Sequence, residues 1–105
     1  MQRLTMVRYA IKPDRVEENE SLCRAVFDEM RAKSPEGVFY SCYKEGDGGV
    51  FVHLFVNLRD DDAEAVTGLS SFATYQAELR DRCVAPPEVT RLSLELLDSY
   101  GLASR

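Results

Sequence analysis

Residues 50–57, VFVHLFVN, constrain the fold of this chain more than any other stretch. Their composition reads as a β-strand. Val50, Val52, Leu54 and Val56 point to one side, and Phe51, His53 and Phe55 to the other. An antiparallel strand with one wet face alternates apolar and polar residues. Here both faces call for cover, although 105 residues suffice for only one core. The same strand carries the only histidine of the chain.

The flanking sequence supplies the other elements. Residues 5–11, TMVRYAI, form a first strand closed by Lys12-Pro13-Asp14. Asp14, with Glu17 three residues later, has the spacing of a helix N-cap with a capping box. In the following helix Val16, Leu22, Cys23, Val26, Phe27 and Met30 fall in one arc, and Ser34-Pro35-Glu36-Gly37 ends it. Residues 38–44, VFYSCYK, make a hairpin with VFVHLFVN through the glycine-rich turn 45–49. Acidic residues 60–62 and a short helical piece, AEAV, lead to a second long helix over 70–84. That helix carries Leu69, Phe72, Tyr75, Leu79 and Cys83 on one side, and Pro86-Pro87 stop it. Residues 89–97, VTRLSLELL, give a fourth strand, and the tail is 98–105.

The order β-α-β-β-α-β defines an α+β, ferredoxin-like single domain over residues 1–105, with both helices on one face of a four-stranded antiparallel sheet. The other face stays open. Met6, Ala10, Val38, Tyr40 and Cys42 join VFVHLFVN in making it apolar, and a monomer rarely leaves such a patch wet. A homodimer through that face is expected, with Leu54, Val52 and Tyr40 at the interface.

The net charge of −5 is spread, and no basic face offers phosphate contacts, so nucleic acid is not an expected partner. The apolar runs are too short to span a membrane and no signal pattern opens the chain, which makes a cytoplasmic protein the expectation. Cys23, Cys42 and Cys83 form no CxxC pair and read as reduced packing residues. A single histidine with scattered acids makes no evident metal site, so no metal is expected.

"AIKPDRVEENESL", "SPEG", "LFVNLRDDDAEAV" and "TYQAELRDRCVAPPEV" together span nearly the whole chain. Through them the chain resembles the antibiotic biosynthesis monooxygenase (quinol monooxygenase-like) domains of the dimeric α/β barrel superfamily. The resemblance implies a homodimer with a ligand cavity in each subunit between sheet and helices. It further implies oxidoreductase activity, the oxygenation of a small phenolic or quinol-type molecule with no cofactor. Haem-degrading relatives carry a tryptophan where this chain has Asn57, a histidine near Leu79 and an asparagine near Val7. Isomerases and several oxygenases place histidines around Gly68-Leu69 and Thr74. None of these residues is present, which points away from haem degradation.

In that frame Phe55, His53 and Asn57 share the cavity face of their strand. Asn19 and Gln76 interrupt the apolar helix arcs, and a buried amide needs hydrogen-bond partners. With Tyr9, these residues are the candidate substrate contacts. An imidazole titrates near neutrality, so His53 is the candidate general base, with Asn57 or Gln76 stabilising the oxyanion. A non-catalytic reading stands beside this one: a ligand-binding or structural barrel. In it His53 bonds to Gln76 or a tyrosine and completes the core, Asn19 sits in an exposed first turn, and Gln76 is a satisfied core amide.

Overall fold

A computed structural model of the chain describes residues 2–46, 48–58 and 66–101. The acidic cluster 60–62, most of AEAV, and the end of the tail lie outside these. The elements are β1 (Gln2–Ala10), α1 (Val16–Lys33), β2 (Val38–Glu45), β3 (Val50–Asn57), α2 (Ser70–Ala77), α3 (Leu79–Arg82) and β4 (Glu88–Leu94). The four strands form one antiparallel sheet in the order β2-β3-β1-β4. The expected ferredoxin-like architecture is therefore present.

Local departures have local causes. Asp14 does not cap α1. Pro13 opens a 3-10 turn over Pro13–Arg15, and α1 begins after Arg15 with no side-chain cap. A proline at N1 fixes φ for such a turn and needs no donor. At the other end Ser34 adopts the left-handed conformation (φ 48°) and donates its N–H to Met30 O at 2.7 Å. The second helix is not continuous: Glu78 leaves helical geometry at φ −124°, ψ 22°, separating α2 from α3. Cys83 then forms an isolated bridge with Ile11, so the helix ends before it. Gly49 lies so close to Ile11 that a Cβ there would stand 2.8 Å from the Ile11 carbonyl oxygen.

Register settles which side chains share a face. Tyr9, Val7 and Thr5 stand opposite Phe51, His53 and Phe55, and Tyr40 and Cys42 stand opposite Phe55 and His53. All of these point toward the helices. Tyr40, Val38 and Cys42 are thus not on the open face, which corrects the expected interface. β2 is apolar on both sides, so its composition does not orient it; its pairing with β3 does. The open face instead carries Leu4, Met6, Phe39, Tyr43, Val50, Val52, Leu54, Val56, Leu92 and Leu94.

The core forms where α1, α2 and α3 meet the other face, around Tyr9, Ile11, Cys23, Val26, Phe51, Leu69, Tyr75, Leu79 and Cys83. The two long helical segments are also joined by a polar contact. Glu29 accepts hydrogen bonds from the Ser71 backbone N–H (2.8 Å) and hydroxyl, and pairs with Lys33 at 3.0 Å. The Ser71 hydroxyl, its N–H and Lys33 together lower the Glu29 pKa from 4.5 to about 2. A carboxylate with a depressed folded pKa stabilises the fold above its unfolded pKa, and that contribution fades as pH falls through the folded one. Acid titration followed by circular dichroism should show stability falling from about pH 4.5 toward 2 in wild type. Glu29→Gln should flatten that window; an unchanged slope would remove Glu29 as its source.

Candidate functional site

The strand alternation that places Phe51, His53 and Phe55 under the helices also places the imidazole among hydroxyls. His53 is 2% exposed. Its Nδ1 lies 2.6 Å from the Tyr40 hydroxyl, and its Nε2 lies 2.7 Å from Tyr9 Oη and 3.3 Å from Tyr75 Oη. Tyr9 Oη and Tyr75 Oη are themselves 2.7 Å apart. Aromatic packing holds this group in place. Tyr40 stacks between Phe27 (4.6 Å) and Phe55 (4.1 Å), and Tyr9 stacks on Phe51 at 5.7 Å.

Behind the tyrosines lies a buried polar anchor. Asn19 is fully buried, donates Nδ2–H to Tyr9 Oη at 3.1 Å, and accepts from Arg82 Nε at 3.1 Å. Arg82, 1% exposed, also donates to the Tyr75 carbonyl at 2.7 Å and lies over the Tyr75 ring, 5.6 Å from its centroid. Among the described residues no buried side-chain nitrogen or oxygen lacks a hydrogen-bond partner. Burial drives the pKa values of Tyr9, Tyr40 and Tyr75 upward, so their hydroxyls remain protonated at neutral pH.

Neutral hydroxyls on both sides of one imidazole allow two complete proton arrangements. In one, Tyr75 donates to Tyr9, Tyr9 to His53 Nε2, and His53 Nδ1–H to Tyr40. In the other, Tyr40 donates to Nδ1, Nε2–H to Tyr9, and Tyr9 to Tyr75. The chain Tyr75–Tyr9–His53–Tyr40 is therefore a continuous hydrogen-bonded path through the ring that can be completed in either direction.

Each end of this chain reaches a depression in the surface. A cleft of about 810 Å³ lies between the sheet and α2–α3, lined by His53, Phe55, Asn57, Phe72, Tyr75 and Gln76, with Arg3 and Arg91 from β1 and β4. A second groove of about 650 Å³, between α1 and β2, is lined by Cys23, Phe27, Tyr40 and Cys42.

Of the candidates read from sequence, His53, Phe55, Asn57 and Gln76 meet at the first cleft. Gln76 is exposed there rather than a buried core amide, because α2 lays Tyr75 on the core and turns its neighbour outward. It is not among the partners of His53, which are the three tyrosines and, at longer range, two cysteines. Asn19 is neither in an exposed turn nor at the cleft wall; it and Tyr9 act behind His53. Arg82 went unrecognised, although in a helix continuous over 70–84 it would stand in phase with Tyr75, seven residues on.

The cysteines also prove less independent than their spacing suggested. Cys23 Sγ and Cys42 Sγ lie 3.9 and 3.5 Å from His53 Nε2. Cys23 is the more acidic of the two thiols. The neighbouring Cys42 thiol and His53 lower its pKa against the opposing effect of burial, while Cys42 is pushed up by Cys23 beside it and by burial.

An antiparallel ferredoxin-like sheet, with helices on one face and a polar cleft beneath them, defines the fold class, and solved structures share it. A proposed antibiotic biosynthesis monooxygenase from Nitrosomonas europaea superposes with a TM-score of 0.73 at 18% identity, over 87% of this chain and 96% of that one. A second protein so described, from Caulobacter crescentus, gives 0.74 at 16%, over 90% and 91%. A conserved protein from Methanosarcina mazei gives 0.75 at 16%, over 90% and 94%. No protein-family model and no curated protein matches the chain by sequence. At these identities the likeness is one of fold, and the fold is that of the antibiotic biosynthesis monooxygenase proteins.

Proposed function

We propose that the chain is a cofactor-independent monooxygenase acting on a small phenol or quinol bound in the cleft between sheet and helices. One observation carries the reading: the cleft wall includes Tyr75, the head of a continuous hydrogen-bonded hydroxyl–imidazole chain through Tyr9 and His53 to Tyr40, and in this proposal that chain takes up the substrate's proton. A cleft of about 810 Å³, lined by aromatic rings together with amides and guanidinium groups, suits a polar aromatic molecule. Oxygenation without a cofactor draws its electrons from the substrate. The substrate gives its proton to the relay, and the resulting anion reduces O₂. One oxygen atom enters the ring and the other leaves as water, the two electron pairs coming from the substrate. His53 is the base of this scheme. In this scheme Asn57 and Gln76, with Arg91, stabilise the oxyanion, and Phe55 supports the ring.

The sequence resemblance and the name borne by the similar structures support the same activity. A purified preparation offered a panel of phenols and quinols under an oxygen electrode tests it. Uptake above the uncatalysed rate is the expected result, and none across the panel would leave the cleft without this chemistry. A second reading has its own support. Both nitrogens of His53 already have tyrosine partners, as in a ligand-binding or structural barrel with no turnover. Ligand binding without oxygen uptake would select it.

The same proposal includes a homodimer through the open sheet face, covering Val52 and Leu54 of β3 together with Leu92 (47% exposed) and Leu94 (43% exposed) of β4. Tyr40 takes no part in it. Leu54→Asp would place an unpaired charge in that apolar contact. Sedimentation should show a wild-type dimer and a monomeric variant; a wild-type monomer at micromolar concentration would remove the dimer from the proposal.

A further inference from the structure

We propose that Cys23 Sγ, Cys42 Sγ and His53 Nε2 form a site for a thiophilic divalent ion, with Zn²⁺ the one its geometry suits. The three donor atoms, from α1, β2 and β3, lie within 4.8 Å of one another. Nε2 is 3.5 Å from Cys42 Sγ and 3.9 Å from Cys23 Sγ. Tetrahedral zinc, with bonds of about 2.3 Å to sulfur and about 2.0 Å to nitrogen, separates its ligand atoms by roughly 3.5–3.8 Å. The two sulfur–nitrogen distances are thus within tenths of an ångström of this spacing, and the two sulfurs, no more than 4.8 Å apart, would close by up to about 1 Å. Pairing of β2 with β3 sets Cys42 directly opposite His53, so the backbone fixes two of the three ligands.

Three further features favour an ion there. The Tyr40 hydroxyl at 2.6 Å can accept Nδ1–H and hold the tautomer that presents the Nε2 lone pair, the role an outer hydrogen bond plays for a metal-bound histidine. Two thiolates and a dication sum to zero charge, as a buried site requires. A donor set of two sulfurs and an imidazole selects zinc-like ions over magnesium or calcium. Tyr9 Oη, 2.7 Å from Nε2 and 3.9 Å from Cys23 Sγ, borders the site and would give up its hydrogen bond to Nε2 when an ion binds. Entry is from the groove between α1 and β2, where Cys42 is half-buried. An ion on Nε2 takes the lone pair that the proton relay uses. The loaded protein is therefore inactive in the proposed oxygenation, a consequence that rests on that proposal while binding itself does not.

Co²⁺ titrated into the reduced protein tests the site. One equivalent should bind with thiolate-to-cobalt charge-transfer absorption in the near ultraviolet, and Zn²⁺ should bleach it. Cys23→Ser and Cys42→Ser should each weaken binding by about 100-fold or more, while Cys83→Ser leaves it unchanged. In wild type, Zn²⁺ should also slow alkylation of Cys42, a readout that needs no variant to fold. Absence of the charge-transfer band, its persistence in the Cys23→Ser/Cys42→Ser double variant, or alkylation of Cys42 indifferent to Zn²⁺ would each overturn the site. Oxygen uptake suppressed by Zn²⁺ in wild type but not in Cys42→Ser would join it to the relay. No uptake by the metal-free protein would count against the oxygenase alone, leaving the cobalt result to stand by itself.

Discussion

Arg82→Ala is expected to cost about 3 kcal/mol or more of folding stability, because it strips partners from two buried acceptors at once. Asn19 Oδ1 and the Tyr75 carbonyl oxygen both take hydrogen bonds from this guanidinium. Each buried acceptor left without a partner costs about 1–3 kcal/mol, and the vacated volume adds a cavity term. The Tyr75 ring also loses the cation over its face. Against a typical total of about 5–15 kcal/mol this is a large fraction, visible as a drop of 10 °C or more in melting temperature at about 4–8 °C per kcal/mol. The loss should be shared with Asn19. In a double-mutant cycle with Asn19→Ala the two changes should fall short of additivity by about 1 kcal/mol or more. Additive effects, or a loss below about 1 kcal/mol, would show that Arg82 does not anchor the hydroxyl cluster.

The second large effect concerns His53. His53→Gln keeps an amide able to hydrogen-bond to Tyr9 and Tyr40 but cannot take up a proton. Turnover of a phenol or quinol should fall by about 100-fold or more. Tyr75→Phe should lower it as well, since it removes the hydroxyl that joins the cleft to Tyr9 and His53. Neither change should shift sedimentation, because neither residue lies on the open face of the sheet. If His53→Gln turned over substrate at the wild-type rate, His53 would be a core residue alone.

Periodicity was sufficient for the architecture. The arc through Cys23 and Val26, the arc through Leu69, Tyr75 and Leu79, and the alternation in VFVHLFVN each predicted the buried side correctly. Where a segment is apolar on both sides, as in β2, composition carries no information about facing, and Tyr40 was assigned to the wrong face. Gln76 does line the cleft, and only its alternative reading as a buried core amide fails: α2 ends at Ala77, and so short a helix has little arc against which to judge one residue. The cluster of Cys23, Cys42 and His53 draws on three elements, and no local spacing announces it; only the register of β2 against β3 brings it together. Arg82 could have been found, since helical phase from Tyr75 puts it on the buried arc, but a charged residue at such a position is ordinarily assigned to solvent.

Oxygen labelling tests the proposed chemistry most directly. Chelator-treated wild-type protein, supplied with ¹⁸O₂ and a phenol or quinol that supports oxygen uptake, should yield product carrying one labelled oxygen, with the other label in water. His53→Gln under the same conditions should form that product about 100-fold more slowly. Product without label, or labelled product formed equally fast by the variant, would contradict oxygenation through His53.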